Sequence, residues 1–477
     1  MDLVSAIAGA KPPPSGMPPA VNLAPRDVEA MADELAAYHA VFAQLFWRAE
    51  QRRWSLKYLQ GQMLDVERKS IEPMALALEG GDVQGMQQFI SVGAWDDEAI
   101  LETHQKLVAD TLGDQDTGVL IIDGCDFPKQ GTHSVGVARQ WCGASGKVAN
   151  CQASVLACYA SEQGYTLVDR RLYMPEKWFG EEYRERRQRY GVPNDLTFRT
   201  EPELAGEMIK TLHQRGALPF QWVTFDEHFG NNPALLDKVA AMGLYYLAEV
   251  PHDTRVWLER PRSEVPQGKG KGRPPTRERV CRGEPAPVRV DRLSEEVADV
   301  KWVPFVIKEG AKGPMVAEFA FVRAVAVRDE LPGPEVWVVL RRSLGEKPEL
   351  KAYLSNAPAG TLEQTLVRIS GMRWSVESAI LESKSELGMD HYEVRGWVGW
   401  HHHLTMTLLA HHFLVRLRLR LGKKISRSHR AASASTAERG ATEEATRRPK
   451  GHCIRPWYAA AELRRLSFPS QARPAQA

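Results

Sequence analysis

The chain has 477 residues, with 62 Lys and Arg against 60 Asp and Glu and a formal net charge of +2. That length exceeds one small core and points to roughly two to four domains. The near balance of charge excludes a uniformly basic nucleic-acid binder, so any basic surface must be local.

The six cysteines, Cys125, Cys142, Cys151, Cys158, Cys281 and Cys453, contain no CxxC pair. That argues against a zinc ribbon or a thioredoxin-type site and fits a reducing compartment. No basic segment precedes the first apolar run, and no run approaches ~18 apolar residues. The expected location is cytoplasmic, with no membrane span.

In chain order, residues 1–25 are Pro-, Ala- and Gly-rich and read as a flexible lead-in. Residues 26–113 carry apolar residues at helical spacing, with Arg48, Arg52 and Arg53 clustered, and read as a helical domain. Helix is expected to run without interruption from Arg26 through the arginine cluster, with further helices in ERKSIEPMALALEGG and QQFISVGAWDDEAILETHQKLVADTLG. Residues 114–251 change character. GVLIIDG is a short, apolar, β-branched run that reads as a buried strand ending at Asp123. CQASVLACYA and YTLVDRRLYMP continue as strands. A helix is expected over 201–215, and FQWVTFDEHFG is a second buried strand, ending at Asp226. LLDKVAAMGLYYLAEVP reads as a helix and a strand.

Residues 252–357 open with a Pro/Gly-rich basic stretch that contains GKGKGR. KWVPFVI, MVAEFAFVRAVAV, EVWVVLRRS and LKAYLSNAP follow as β-type runs separated by turn residues, an antiparallel insertion. Helix resumes over 358–422, in TLEQTLVRISGMRWSVESAI and WVGWHHHLTMTLLAHHFLVRLRLRLG. Residues 423–477 are Arg-, Ser- and Ala-rich and read as a mostly disordered basic tail, with a short helix at WYAAAELRRL.

Within RWSVESAILESKSELGMDHYEVRGW, Arg373, Glu377 and Lys384 fall at helix offsets zero, four and eleven, roughly one face. Taken alone, such a triplet is a solvated surface ion pair. Its meaning changes beside Asp123 and Asp226. Two strand-end carboxylates and a helical one, converging on a central sheet, make an oxygen-rich pocket of the kind that hard divalent cations prefer.

These blocks resemble the DDE transposases of bacterial insertion sequences that carry the YREK signature. IIDGCDFPKQGTHSVGVARQWCGASGKVANCQASV is similar to the family's first-aspartate block, WVTFDEHFGNNPALLDKV to the second, and the Arg373 segment to the last. The resemblance spans roughly residues 30–420. It implies an α/β fold: a ribonuclease-H-like mixed-sheet core interrupted by the β-rich insertion and preceded by a helical DNA-binding domain. It implies Asp123, Asp226 and Glu377 as catalytic residues and ligands of two Mg²⁺ or Mn²⁺ ions. Arg373 and Lys384 match the signature's Arg and Lys. The activity implied is cut-and-paste transposition, with hydrolysis at the transposon ends followed by attack of the freed 3′-hydroxyl on target DNA. The partners implied are end repeats, target DNA and a second copy of the chain, with the protein nucleoid-associated.

Three departures stand out. Ser370 occupies the signature's Tyr position, the tail is unlike the family's, and Asp126 is a rival for Asp123. Ser370 and the tail also fit a catalytically inactive, DNA-binding descendant with a regulatory role. Lys129 and Arg139 follow the first strand and are expected to face the DNA groove. His401, His402, His403, His411 and His412 lack zinc-helix spacing and are expected to be partly buried, hydrogen-bonded helix residues, some of them near DNA, although a different metal-dependent enzyme built on them remains an alternative. GKGKGR lacks the order of a phosphate-binding loop.

Overall fold

The computed structural model describes residues 25–267, 275–296, 300–310, 313–345 and 347–437. The GKGKGR stretch and WYAAAELRRL lie outside them, as does most of the lead-in. Five helices come first among the described residues: α1 (Pro25–Ala43), α2 (Ala49–Met63), α3 (Ile71–Ala77), α4 (Val83–Ser91) and α5 (Asp97–Leu112). The uninterrupted helix expected through the arginine cluster is broken between α1 and α2. There the Leu45 and Phe46 amides bond three residues back, to Phe42 and Ala43, and tighten the last turn. This buries both Phe42 and Phe46 and leaves Trp47 exposed.

The strands β1 (Val119–Pro128), β2 (Ala138–Cys142), β3 (Lys147–Ser161) and β4 (Gly164–Leu172) follow, then α6 (Arg184–Arg189) and α7 (Glu201–Arg215). Next are β5 (Trp222–Phe225), α8 (Glu227–Gly230), α9 (Pro233–Ala241) and β6 (Tyr245–Val250). The insertion carries short strands β7 (Arg255–Trp257), β8 (Ser263–Glu264), β9 (Arg279–Val280) and β10 (Val288–Arg289), and a turn of helix, α10 (Leu293–Glu296). Its long strands are β11 (Val303–Gly310), β12 (Gly313–Arg328), β13 (Leu331–Ser343) and β14 (Leu350–Ser355). Three helices complete the described chain: α11 (Glu363–Met372), α12 (Trp374–Leu387) and α13 (Trp397–Ala437). The backbone is therefore helical through 423–437, where the composition suggested a tail without regular structure.

β1 runs antiparallel to β3 and parallel to β5, and β5 runs parallel to β6. β14 then pairs antiparallel with β6, so the insertion extends the core sheet through β14, β13 and β12. This is a mixed sheet in an α/β, ribonuclease-H-like fold. β1 is buried on both faces, which explains its unbroken apolar run. Val119, Ile121, Cys125 and Phe127 join the core beneath α12 and α13, whereas Leu120 and Ile122 join the core under α7 and α9. The alternation puts Asp123 on the α12 face and Asp126 on the other.

α13 explains why the N-terminal helices do not stand apart. It packs against α1, α2, α4, α5, α12 and β4. A helix apolar on all sides must be covered on all sides. Its histidines serve this packing. His403 Nδ1 lies 2.7 Å from Tyr58 Oη, His411 Nδ1 lies 2.9 Å from Thr166 Oγ1, and His402 Nδ1 lies 3.0 Å from the Ile90 carbonyl oxygen. All five are buried, more fully than the partial burial expected, because α13 is covered by helices and by β4.

Arg170 on β4 is the ionic counterpart of that packing. It is fully buried, pairs with Asp97 at the start of α5, donates to Glu98 Oε1 at 2.9 Å and lies 3.7 Å from the equally buried Asp169. Arg171 also holds Asp169, at 2.6 Å, and Arg215 also holds Glu98, at 3.0 Å, so removing Arg170 leaves Asp97 as the carboxylate that loses its cation. Arg170→Met is expected to lower stability by ~1–3 kcal/mol, read by chemical denaturation. A variant curve that overlays wild type would mean that Arg171 and Arg215 satisfy the cluster without Arg170.

Candidate active site

Asp123 and Asp226 are brought together by the pairing of β1 with β5. Ile122 is opposite Phe225, so Asp123, the next residue of β1, and Asp226, just past β5, stand at the same level; the sequence suggested that the first strand ends at Asp123, but its pairing with the long β3 carries it on to Pro128. Asp226 is the N-cap of α8, and its Oδ1 accepts the Phe229 N–H at 3.2 Å. Asp123 Oδ1 accepts the Gly124 N–H at 2.8 Å. Glu377 is in the first turn of α12, which packs on β1, β3 and β4.

The electrostatics register this proximity. Burial, then the charges of Asp226 and Glu377, push the Asp123 carboxyl up to about 7, against the pull of Arg373. Burial also raises Asp226, and Glu249 adds to the rise. Asp126 points to the opposite face, where its Oδ2 accepts the Gly143 N–H at 2.5 Å.

Arg373 sits at the junction of α11 and α12, in helical conformation, where the sequence suggested one continuous helix. Its Nη2 donates to Glu377 Oε1 at 2.6 Å. Its Nε lies 3.5 Å from Glu249 Oε2. Lys384 does not join that pair; its Nζ donates to the Asp126 carbonyl at 3.0 Å and ties α12 to β1. Lys129 is folded over Tyr392, with Nζ 3.4 Å from the ring centroid, and burial lowers its pKa to about 8. Arg139 is exposed on β2, the terminal strand of its side of the sheet, beside exposed Trp141. Ser370, at the position of the signature's Tyr, is buried and donates to the Val367 carbonyl at 2.7 Å.

Two residues join the site that motif reasoning passed over. Glu249 is the penultimate residue of β6, one strand beyond Asp226, and its Oε1 accepts from Lys351 Nζ at 2.8 Å. An ionisable residue in the otherwise apolar strand YYLAEV was the available signal. His228, two residues after Asp226, lies 2.7 Å from Glu201 Oε2, and that contact raises its pKa. Gly230 makes the arrangement possible. A Cβ there would come within 1.9 Å of the Glu249 carbonyl oxygen, so only glycine lets α8 lie this close to β6.

Family comparison agrees with this frame. The profile of the DDE superfamily endonucleases matches residues 41–314. That is more than half of the chain. The chain belongs to the DDE superfamily endonucleases. The match contains Asp123 and Asp226 and ends before Glu377. A probable transposase for insertion sequence element IS701, from Microchaete diplosiphon, is 29% identical over 180 residues. The aligned stretch is 37% of this chain and 43% of that protein, so the chain spans less than half of the relative's length.

The donors gathered at this candidate site are oxygen atoms only, the type that suits a hard divalent cation. A carboxyl raised by burial and by its neighbours' charges is also one that gains from a nearby cation. Among the described residues, no three Asp, Glu, His or Cys side chains stand together as a ligand set, and Glu377 is paired with Arg373. A separate groove of about 1390 Å³ lies over the N-terminal helices. Glu50, Asp82, Asp96, Asp97 and Glu98 outnumber Arg48 and Arg171 along it. Of these, Asp97 is paired with Arg170, and Glu98 with Arg170 and Arg215. Among the described residues, no helix is long and apolar enough to cross a membrane.

Proposed function

We propose that this DDE endonuclease is the transposase of an insertion sequence, acting by cut-and-paste on DNA as a homodimer bound to paired transposon ends. The observation that carries the proposal is the β1–β5 pairing, which sets Asp123, midway along β1, level with Asp226, just past β5, with Glu377 on the helix that covers the same face. The similarity to a probable transposase for insertion sequence element IS701 adds support.

Enzymes of this superfamily generally use divalent metal ions. Asp123, Asp226 and Glu377 would hold two Mg²⁺ or Mn²⁺ ions. Bound there, such ions lower the pKa of an attacking water or 3′-hydroxyl and offset charge on the phosphate. The chain's own residues set the geometry. The β1–β5 pairing fixes the spacing of the aspartates, and α12 brings Glu377 to them. Arg373 holds Glu377 in place and offers its remaining N–H groups to a DNA phosphate. Arg139, exposed next to Trp141, meets the DNA backbone on the flank. Lys129 and Lys384 act from partly covered positions, Lys384 chiefly by anchoring α12 to β1.

The test is excision in cells, with a marker flanked by the native end sequences. Wild type is expected to excise, and Asp123→Ala, Asp226→Ala and Glu377→Ala to lose excision. Asp126→Ala is expected to retain it, since its carboxylate faces away. Excision that survived Asp123→Ala and failed in Asp126→Ala would move the first ligand. Binding of end DNA without excision by wild type would favour the inactive descendant.

A further inference from the structure

We infer that Glu249 is a positioning residue that governs how readily Glu377 turns to a divalent cation, by giving Arg373 a second anion to hold. The inference rests on the metal-binding reading of Asp123, Asp226 and Glu377. One guanidinium touches both carboxylates: Nη2 donates to Glu377 Oε1 at 2.6 Å, and Nε lies 3.5 Å from Glu249 Oε2. Glu249 is well placed to take a larger share. Its Oε2 is buried and accepts no hydrogen bond within the described structure. Its Oε1 is steadied by Lys351 at 2.8 Å, and Gly230 lets α8 pack directly on its backbone.

A buried carboxylate oxygen without a donor is costly, and one N–H from Arg373 removes that cost. The guanidinium presents its donors as a rigid fork, so it can shift between two anions without leaving either unsolvated. Were Glu249 absent, Glu377 would be the nearest anion to a half-buried arginine, and a cation would have to compete with Arg373 for it. With Glu249 present, Arg373 keeps an anionic partner when Glu377 rotates toward the aspartates. The same contact leaves Arg373 charged and aimed at the site, ready for phosphate.

The test uses the full-length protein and Mn²⁺ alone, with affinity read by titration calorimetry and folding checked by thermal melts without metal. Glu249→Gln is expected to weaken Mn²⁺ binding roughly tenfold, the scale usual for residues that orient a ligand. In an Arg373→Gln background the same substitution is expected to have no effect, because no guanidinium competes for Glu377. Glu249→Asp retains the charge beside Lys351 and draws it back from Arg373. It serves as the variant if Glu249→Gln does not fold, and weaker Mn²⁺ binding is expected again. Equal losses with and without Arg373 would mean that Glu249 contributes only its negative field and would overturn the proposal. So would unchanged affinity in Glu249→Gln and Glu249→Asp. Failure of the underlying reading looks different: wild type would bind no Mn²⁺, or would bind it undiminished after Asp123→Asn.

Discussion

Asp123→Asn is expected to abolish DNA cleavage and, at the same time, to make the protein more stable above neutral pH. Both effects follow from one cause. Burial and the Asp226 and Glu377 charges raise the Asp123 carboxyl to about 7, far above its ordinary range. A folded-state pKa above the unfolded value means that folding disfavours the charged form. The stability attached to that proton is fully present below pH ~4 and is lost as pH rises through about 7. Asparagine cannot ionise, so it removes the loss. Asp123 is half-buried, so solvent screens much of the effect, and a gain of about 1–2 kcal/mol at pH 8 is expected. The gain should shrink toward zero by pH 4. Urea unfolding of wild type and variant at pH 4.5, 6 and 8, without divalent ions, checks it. A destabilised variant at pH 8 would mean that Asp123 is a structural residue whose charge the fold uses.

Steep acid destabilisation is expected from the buried histidines. Burial lowers His39, His104, His402 and His403 to about 4, and His401 to about 3. His411 and His412 are lowered for the same reason. Each has a folded pKa below the ordinary value of 6.5, so the unfolded chain takes up its proton first as pH falls. Stability is intact above pH ~6.5 and is lost as pH falls from there toward 4. A depression of this size is worth roughly 2–3 kcal/mol per histidine at the acid end of that window. Several acting together exceed the stability of most proteins, so unfolding is expected before pH 4. Urea midpoints measured at pH 7.5, 6 and 5 should fall in that order. A midpoint that stays level to pH 5 would mean that these rings are solvated in the folded chain. Both groups of residues make the active-site face and the α13 interface respond to pH in opposite directions.

Much of this architecture was readable in the residues themselves. The apolar runs at 119–122 and 222–225 become β1 and β5, and EPELAGEMIKTLHQR becomes α7 within the expected limits. Local patterns of this kind report burial and period; the end of β1 at Pro128, six residues past its apolar run, follows instead from its pairing with β3. The helical character of residues 26–113 and the β-rich insertion were legible from the same local patterns, whereas the five histidines on α13 are buried more completely than their helix alone suggested. Arg373 and Glu377 were legible as a pair because neighbours at four residues on a helix always meet.

What the one-dimensional pattern could not carry was partnership across the chain. Lys384 shares a helical face with Glu377, yet its ammonium is taken by the Asp126 carbonyl, 258 residues away in sequence. Lys129 is drawn onto Tyr392, and Arg170 finds Asp97 on α5. Side-chain charges choose partners by distance in space, and no spacing rule encodes contacts between separate elements. Glu249 shows the same limit most clearly. It became a neighbour of Asp226 and Arg373 only when β6 paired with β5, and Gly230 allowed α8 to close over it. The sequence by itself determined the alternation, the helical faces and the aspartates that follow two apolar runs. Only the tertiary structure decided which carboxylates share a pocket and which cation stands between them, because the register of the sheet, not the order of the chain, sets those distances.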